Sequence, residues 1–574
     1  MALHFSDEDV GKGVSIRAVG KTQQASSGSA HCDDSPPLPS PAVGLMVPLP
    51  VTGLVPSTLL IREQNQNLAQ QAENSSSEDN STAQIENIPQ VHHPSKVSFR
   101  ITNTESKKIG HDHMNNNETS ETTALLTEGD VQASQNPYSD RSSAKYLDGE
   151  EGEVETTWRK ELIILIKYSL PLMLTCVLQY SLSGASVIAV GHLGKTQLGA
   201  VSLAIMTSNV TGYCTYAGLA TSLDTLCAQA YGSGRPHLVG LYLQRTVCFL
   251  WIITIPIAAI WLSGTQILLR ITPERESAEL AGLYLKVLLL GAPGFAMFEA
   301  GKRFVQAQGL FNANLYVLLI CAPLNAFMNW LFVWHFNWGF IGAPVAVAIT
   351  HNLLPLCLWL YVYFVDGREC WNGFTTQALH NWYPMIRLAV PGYVMLISEF
   401  LCFEILTLAS AHLSATALAA QSVLATLSFV TFQIPFPVSI AASTRLANLI
   451  GAGLPGASQV CINVTLAMAC CAGAFNVVML TTLRHNIPKI FTSDPIVTDL
   501  IVNVIPLFAA FQMFDALVAN SSGLLRGMGL QKIGGWVAVS CYYGIAIPVS
   551  LGVAFGLRGS LFGLWTGPAI GLFL

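Results

Sequence analysis

Five carboxylic acids stand where this sequence should be short of water. Asp224, Glu299, Glu399, Glu404 and Asp515 each fall within or at the end of a long apolar run. An ionisable side chain at membrane depth is costly and is read first as a functional group. A carboxyl group taken out of water holds its proton more tightly, so it can trade that proton for a cation near neutral pH. That trade is the elementary step of antiport. Glu399 and Glu404 are five residues apart, ~500° of helix or ~140° between their faces, so they cannot both point straight into one cavity. Glu399, Glu404 and Asp515 are taken as the ion-coupling and substrate residues. Glu299 is a second-tier carboxylate, because Lys302 and Arg303 stand within one turn of it and offer it an ordinary ion pair. Asp224 is read as capping or ordering the Gly-rich end of its helix. Gln179, Gln421, Asn325, Asn520, Tyr542 and Tyr543 are candidates for polar cavity lining, with hydrogen bonding between helices as the plainer use of each.

The elements that must hold these groups occur twice. The stretch from Lys167, KYSLPLMLTCVLQYSLSGASVIAVGHLGKTQLGAVSL, is echoed from Arg387 by RLAVPGYVMLISEFLCFEILTLASAHLSATALAAQSV. Pro171 and Pro391 set an offset of 220 residues, at which His192 meets His412, Leu198 meets Leu418 and Ser202 meets Ser422. With one residue lost, Gly232, Gly234 and Pro236 then meet Gly451, Gly453 and Pro455. Downstream, Met297-Phe298-Glu299 aligns with Met513-Phe514-Asp515, and Gly309 with Gly529. Glu399 stands opposite Gln179, and Glu404 opposite Gly184. Acids therefore gather in the second copy, which is where ion coupling is expected. A duplication of this length is domain-sized, and in membrane proteins such repeats place the substrate site near the bilayer midplane.

Composition supports the membrane reading. Charged residues are 11% of the 574, less than half the ~25% of an ordinary soluble chain. Ten of the 29 Lys and Arg precede Glu155, leaving 19 for more than 400 residues. From residue 162 on there are twelve apolar stretches of spanning length, six up to 364 and six from 382. The last, 559–574, has 16 residues where a span needs ~20, so a shortened helix or a fragmentary chain is expected. Placing the N-terminal tail in the cytosol puts twelve Lys and Arg on inner segments and seven on outer ones. Two sets of six spans share one orientation, so the repeats are parallel. The expected fold is an all-α polytopic membrane protein of two six-helix lobes. The tail covers 1–158, the first lobe 159–365, a polar cytosolic linker 366–381 and the second lobe 382–574.

The tail is rich in Ser, Asn, Gln and acids, as in ENSSSEDNST at 73–82, and is expected to be disordered. Its Pro-rich apolar run, 35–56, cannot form a spanning helix. Glu121, Leu125 and Leu126 have the spacing of an acidic dileucine sorting signal, which would engage sorting adaptors and route the chain to a vacuolar or lysosomal-type membrane rather than the plasma membrane. The 13 Cys show no zinc-site spacing, and no basic run suggests nucleic acid. No metal or cofactor is called for, and a monomer is expected.

Several ordered motifs now carry a resemblance. GLATSLDTLCAQAYGSGRP at 218–236, FEAGKRFVQAQG at 298–309, EFLCFEI at 399–405, IPFPVSIAASTRLANLIGAG at 434–453 and LLRGMG at 524–529 closely resemble motifs of the multidrug and toxic compound extrusion family. The paired glutamates Glu399 and Glu404 are similar to those of eukaryotic members. The resemblance runs from about Lys160 to the last residue and implies twelve helices in two lobes. It also implies export of organic cations or other amphiphiles, driven by inward proton or sodium flow. Protons are favoured here, because carboxylates in apolar surroundings suffice for them, whereas sodium wants several oxygen ligands. One departure is that Phe400 and Leu401 replace the paired tryptophans that often lie between the two glutamates. The rival readings are a lipid-linked-precursor flippase, which would want cations in its cavity, and an intramembrane enzyme using His351 and Asn352.

Overall fold

The computed structural model describes residues 156–271, 274–492, 494–556 and 560–574. The dileucine candidate at Glu121, Leu125 and Leu126 lies outside them. The described residues contain helices and no strand. In chain order the spans of the first half are α1 (Trp158–Gly191), α2 (195–232), α3 (Pro236–Leu262), α4 (Arg275–Ala307), α5 (Phe311–His335) and α6 (Gly339–Phe364). Those of the second half are α7 (Tyr383–Leu413), α8 (Ala415–Phe432 and Pro435–Gly451), α9 (Pro455–Thr482), α10 (Pro495–Met528), α11 (Gln531–Gly556) and α12 (Ser560–Phe573). Among the described residues nine of these are long and apolar enough to cross a bilayer unbroken, and α8 becomes a tenth if its bent pieces count as one span. α2 is interrupted by a π-helical turn, Asn209–Tyr213, and α12 is short.

The punctuation of the sequence explains where the helices start and stop. Pro236 and Pro455 open α3 and α9 at a first-turn position, where proline's missing N–H is no loss. Just before them Gly234 and Gly453 take positive φ of 71° and 69°, the left-handed turn that glycine adopts without strain. α10 starts at Asp494, whose carboxylate accepts from the N–H of Ile496 at 2.8 Å, and stops at Gly529 with φ 77°. Gly309 closes α4 in the same way at φ 78°. These matched stops keep the two halves in one register.

Each half buries its own core. Trp261, Tyr216, Tyr284 and Phe298 fill the first, and Phe508, Phe511, Trp565 and Tyr542 the second. A third apolar cluster joins the halves at one end, where Leu165, Tyr168 and Leu172 of α1 pack on α8 and α9. The outer faces carry exposed Ile188, Ile255, Leu290 and Leu408, a surface suited to lipid rather than water.

At the joined end the backbones of α2 and α8 cross in direct contact. A Cβ on Gly232 would strike the Asn448 carbonyl, and one on Gly451 would strike the Gln229 carbonyl. The two glycines that the repeat matches are thus the points where each half admits the other. Further bonds between the halves gather at this same end. Gln229 donates to the Gly527 carbonyl at 3.0 Å, Gln531 to Thr225 Oγ1 at 2.8 Å and Asn448 to the Ala307 carbonyl at 3.4 Å. Arg445 of α8 grips Glu161 of α1 through Nη2 at 2.7 Å and Nε at 3.1 Å. This is the end that the positive-inside count of the sequence expects on the cytosolic side.

Candidate functional site

The structure pairs the repeat-matched positions. In the first half Gln179 of α1 donates to Glu299 Oε1 of α4 at 3.3 Å. In the second half Glu399 of α7 and Asp515 of α10 occupy the corresponding places, both buried, and the charge of Asp515 reaches Glu399. What surrounds the two pairs differs sharply. Glu299 lies against Lys302 Nζ at 2.5 Å and Arg303 Nη1 at 3.0 Å, and Lys302 also donates to Gln179 Oε1 at 3.2 Å. That site is neutralised by its own helix. The positions aligned with Lys302 and Arg303 are Val518 and Ala519. Neither oxygen of Glu399 closes a hydrogen bond of good geometry among the described residues, and Asp515 Oδ2 likewise has none. Tyr542 of α11 turns its hydroxyl toward Glu399. It sits on a π-helical segment, Ser540–Ala546, a local widening of the helix that often marks functional positions.

Two buried carboxylates within electrostatic reach and without a paired cation cannot both be charged cheaply. The effective cost of burying one unpaired ion is several kcal/mol, and the second adds repulsion. A bound proton or another cation relieves that cost. Cys214 of α2 also lies near Glu399, which places the pair beside the seam between halves.

The remaining sequence candidates divide. Glu404 is half-buried, and five residues along α7 its side chain leaves the helix ~140° round from that of Glu399. Gln421 is buried, accepting from Trp565 Nε1 at 2.9 Å and donating to Thr407 at 3.4 Å. Asn325 donates to the Leu182 carbonyl at 2.9 Å and accepts from Thr350 at 3.0 Å. These two tie helices together rather than line open space. Asn520 donates to the Ala516 and Pro435 carbonyls at 2.9 and 3.4 Å, leaving its buried Oδ1 unbonded. Tyr543 is half-buried beside Cys402. Tyr180 of α1 and Phe429 of α8, not singled out from sequence, meet across the seam with ring centroids 4.5 Å apart.

Asp224 needs correction. It does not simply cap α2. Its Oδ1 meets Arg303 Nε at 3.1 Å and its Oδ2 meets Arg526 Nε at 3.3 Å, so it joins α4 of the first half to α10 of the second. Arg303, Arg445, Arg526 and Lys302 are the cations a phosphate-holding flippase would need, and each is paired with a carboxylate. His351 is buried, its Nδ1 3.4 Å from the Tyr213 hydroxyl, while Asn352 is exposed and donates to the carbonyls of Leu290 and Ala348. The two side chains do not converge on one place.

Comparison with known proteins follows the same division. The MatE family model matches twice, at 171–331 and 391–551, at the 220-residue offset of the repeat. An uncharacterized transporter of Schizosaccharomyces pombe is 42% identical over 428 residues, 74% of this chain and 79% of that one. Multidrug and toxin extrusion protein 1 of Homo sapiens is 31% identical over 417 residues, 72% of each chain. Among solved structures, the eukaryotic MATE transporter AtDTX14 aligns with a TM-score of 0.68 at 28% identity, covering 72% of this chain and 93% of that one.

Proposed function

The chain belongs to the MatE family of transporters, and from that premise we propose that it exports organic cations or related amphiphiles in exchange for protons, with Glu399 and Asp515 carrying the proton. One observation carries this reading. The second half keeps two buried carboxylates with unpartnered oxygens and lacks the Lys and Arg that neutralise their counterpart. Such a pair is stable when it holds a proton or a cargo cation and strained when it holds neither. Uptake of one therefore releases the other, which is the coupling an exchanger requires.

The bonds that tie the halves at one end support a reading in which that end is the cytosolic one and protons enter from the other. Protonation neutralises Glu399 and Asp515 and weakens the hold on a cationic cargo. The Tyr542 hydroxyl, turned toward Glu399, offers a donor to the carboxylate once its proton has left. Tyr180 and Phe429 supply aromatic faces beside the seam for the apolar body of the cargo. The membrane is a vacuolar or lysosomal-type one, on the dileucine spacing of the tail alone.

The test is direct. In vesicles loaded with a pH-sensitive dye and acidified inside, an added organic cation should draw protons out through the wild-type protein. Glu399→Gln and Asp515→Asn proteins should leave the dye unchanged. Cation-driven proton release persisting in both variants would refute the assignment.

A further inference from the structure

Residues 366–381 read as a polar tether, yet the structure pins them down and turns large apolar side chains outward. Gln244 of α3 donates to the Gly373 carbonyl at 2.9 Å and accepts from the Thr375 N–H at 3.1 Å. Arg245 reaches the Gln377 carbonyl at 3.4 Å. Cys370 is buried under Gly240, where a Cβ would strike its carbonyl. Trp382 donates to the Ala378 carbonyl at 2.8 Å and sets its ring edge-on to Phe249. Two short 3-10 turns, Arg368–Cys370 and Thr376–Leu379, complete a fixed path along the start of α3.

From this strap Phe374 stands 91% exposed and Leu379 64%. Phe364 at the end of α6 and Tyr383 at the start of α7 flank them, both 73% exposed, at span ends that must lie at the membrane boundary. Trp371 packs edge-on to Phe374, giving the aromatic composition of a bilayer interface.

We propose that this linker is an interfacial anchor, with Phe374 and Leu379 seated among the phospholipid headgroups and upper acyl chains of the cytosolic leaflet. The occupant is argued from the exposed Phe364 and Tyr383 at the adjoining ends of α6 and α7, which must lie at the membrane boundary. Insertion of this kind rests on buried apolar area, at roughly 25 cal/mol per Å². Charge contributes little, because Asp366 and Glu369 oppose Arg368, whose guanidinium lies over the Tyr363 ring at 4.9 Å. The strap is fixed to α3 and leads into α7, so its seat in the leaflet gives the first half a footing against which the second can move.

The test uses the full chain in phosphatidylcholine vesicles, with Phe374 and, separately, Leu379 replaced by photo-reactive p-benzoylphenylalanine. Both side chains are exposed, so folding should be unaffected. Irradiation should yield chain fragments from this region heavier by one phospholipid. The adduct yield should be unchanged by high salt or by added anionic lipid. Crosslinks to the chain's own N-terminal tail or to a second copy would overturn the proposal. So would a region that emerges with no lipid attached.

Discussion

Replacing Glu399 by Gln keeps the shape of a buried side chain on α7 and removes its acid proton. The protein should fold and reach its membrane at normal levels. Its coupled transport should fall about tenfold or more, a loss of at least ~1.4 kcal/mol in the coupled step. Asp515→Asn should do the same, and the double variant should lose little more than either single one, because the two acids act as a unit. Glu404→Gln, on another face of α7, should cost much less. Rates of proton-driven uptake by the four variants in vesicles decide this, and a double variant whose losses simply add would separate the two acids. Each acid was legible in the sequence as a charge within an apolar run, and the repeat even set Asp515 opposite Glu299. The contrast that matters lies three and four residues further on, where Val518 and Ala519 replace Lys302 and Arg303. Carrying the alignment through that turn would have revealed it. The role of Asp224 could not be read so, because its partner Arg526 is far away in the chain and belongs to the other half.

Among the elements, the ends of α2, α4, α8 and α10 form the face where the two halves are tied together. The glycines and prolines that end and begin these helices were legible because a left-handed turn or a missing N–H constrains the residue type locally. The contact between α2 and α8 was not, because a close backbone crossing leaves only a glycine behind and names no partner. Asp224→Asn would leave Arg303 and Arg526 without their shared anion, and breaking a buried pair costs about 3–5 kcal/mol. The cost falls on this tied face, so the variant should populate states open to the cytosol. Spin labels at His192 and His412, exposed and repeat-matched at the far ends of α1 and α7, should report shorter distances in Asp224→Asn than in the wild type. An unchanged distance distribution would show that the ion pairs do not set the balance. Glu161→Gln, which breaks the Arg445 pair at the same face, should act in the same direction.

At the scale of the whole molecule, two parallel six-helix halves were legible, because hydropathy and an internal duplication survive without any knowledge of contacts. On the proposed reading the tail carries the address of the protein. Changing Leu125-Leu126 to Ala-Ala should redirect it from the vacuolar-type membrane, and microscopy showing no change would discard the sorting motif. Deleting residues 1–147 should leave transport in vesicles intact. The central claim is that a proton, carried by Glu399 and Asp515, drives the exchange. It is tested most directly by measuring organic-cation uptake into vesicles made acidic inside, in sodium-free buffer, with and without a protonophore. Uptake should follow the pH gradient, collapse with the protonophore and persist without sodium. A strict requirement for sodium, with indifference to the pH gradient, would contradict it.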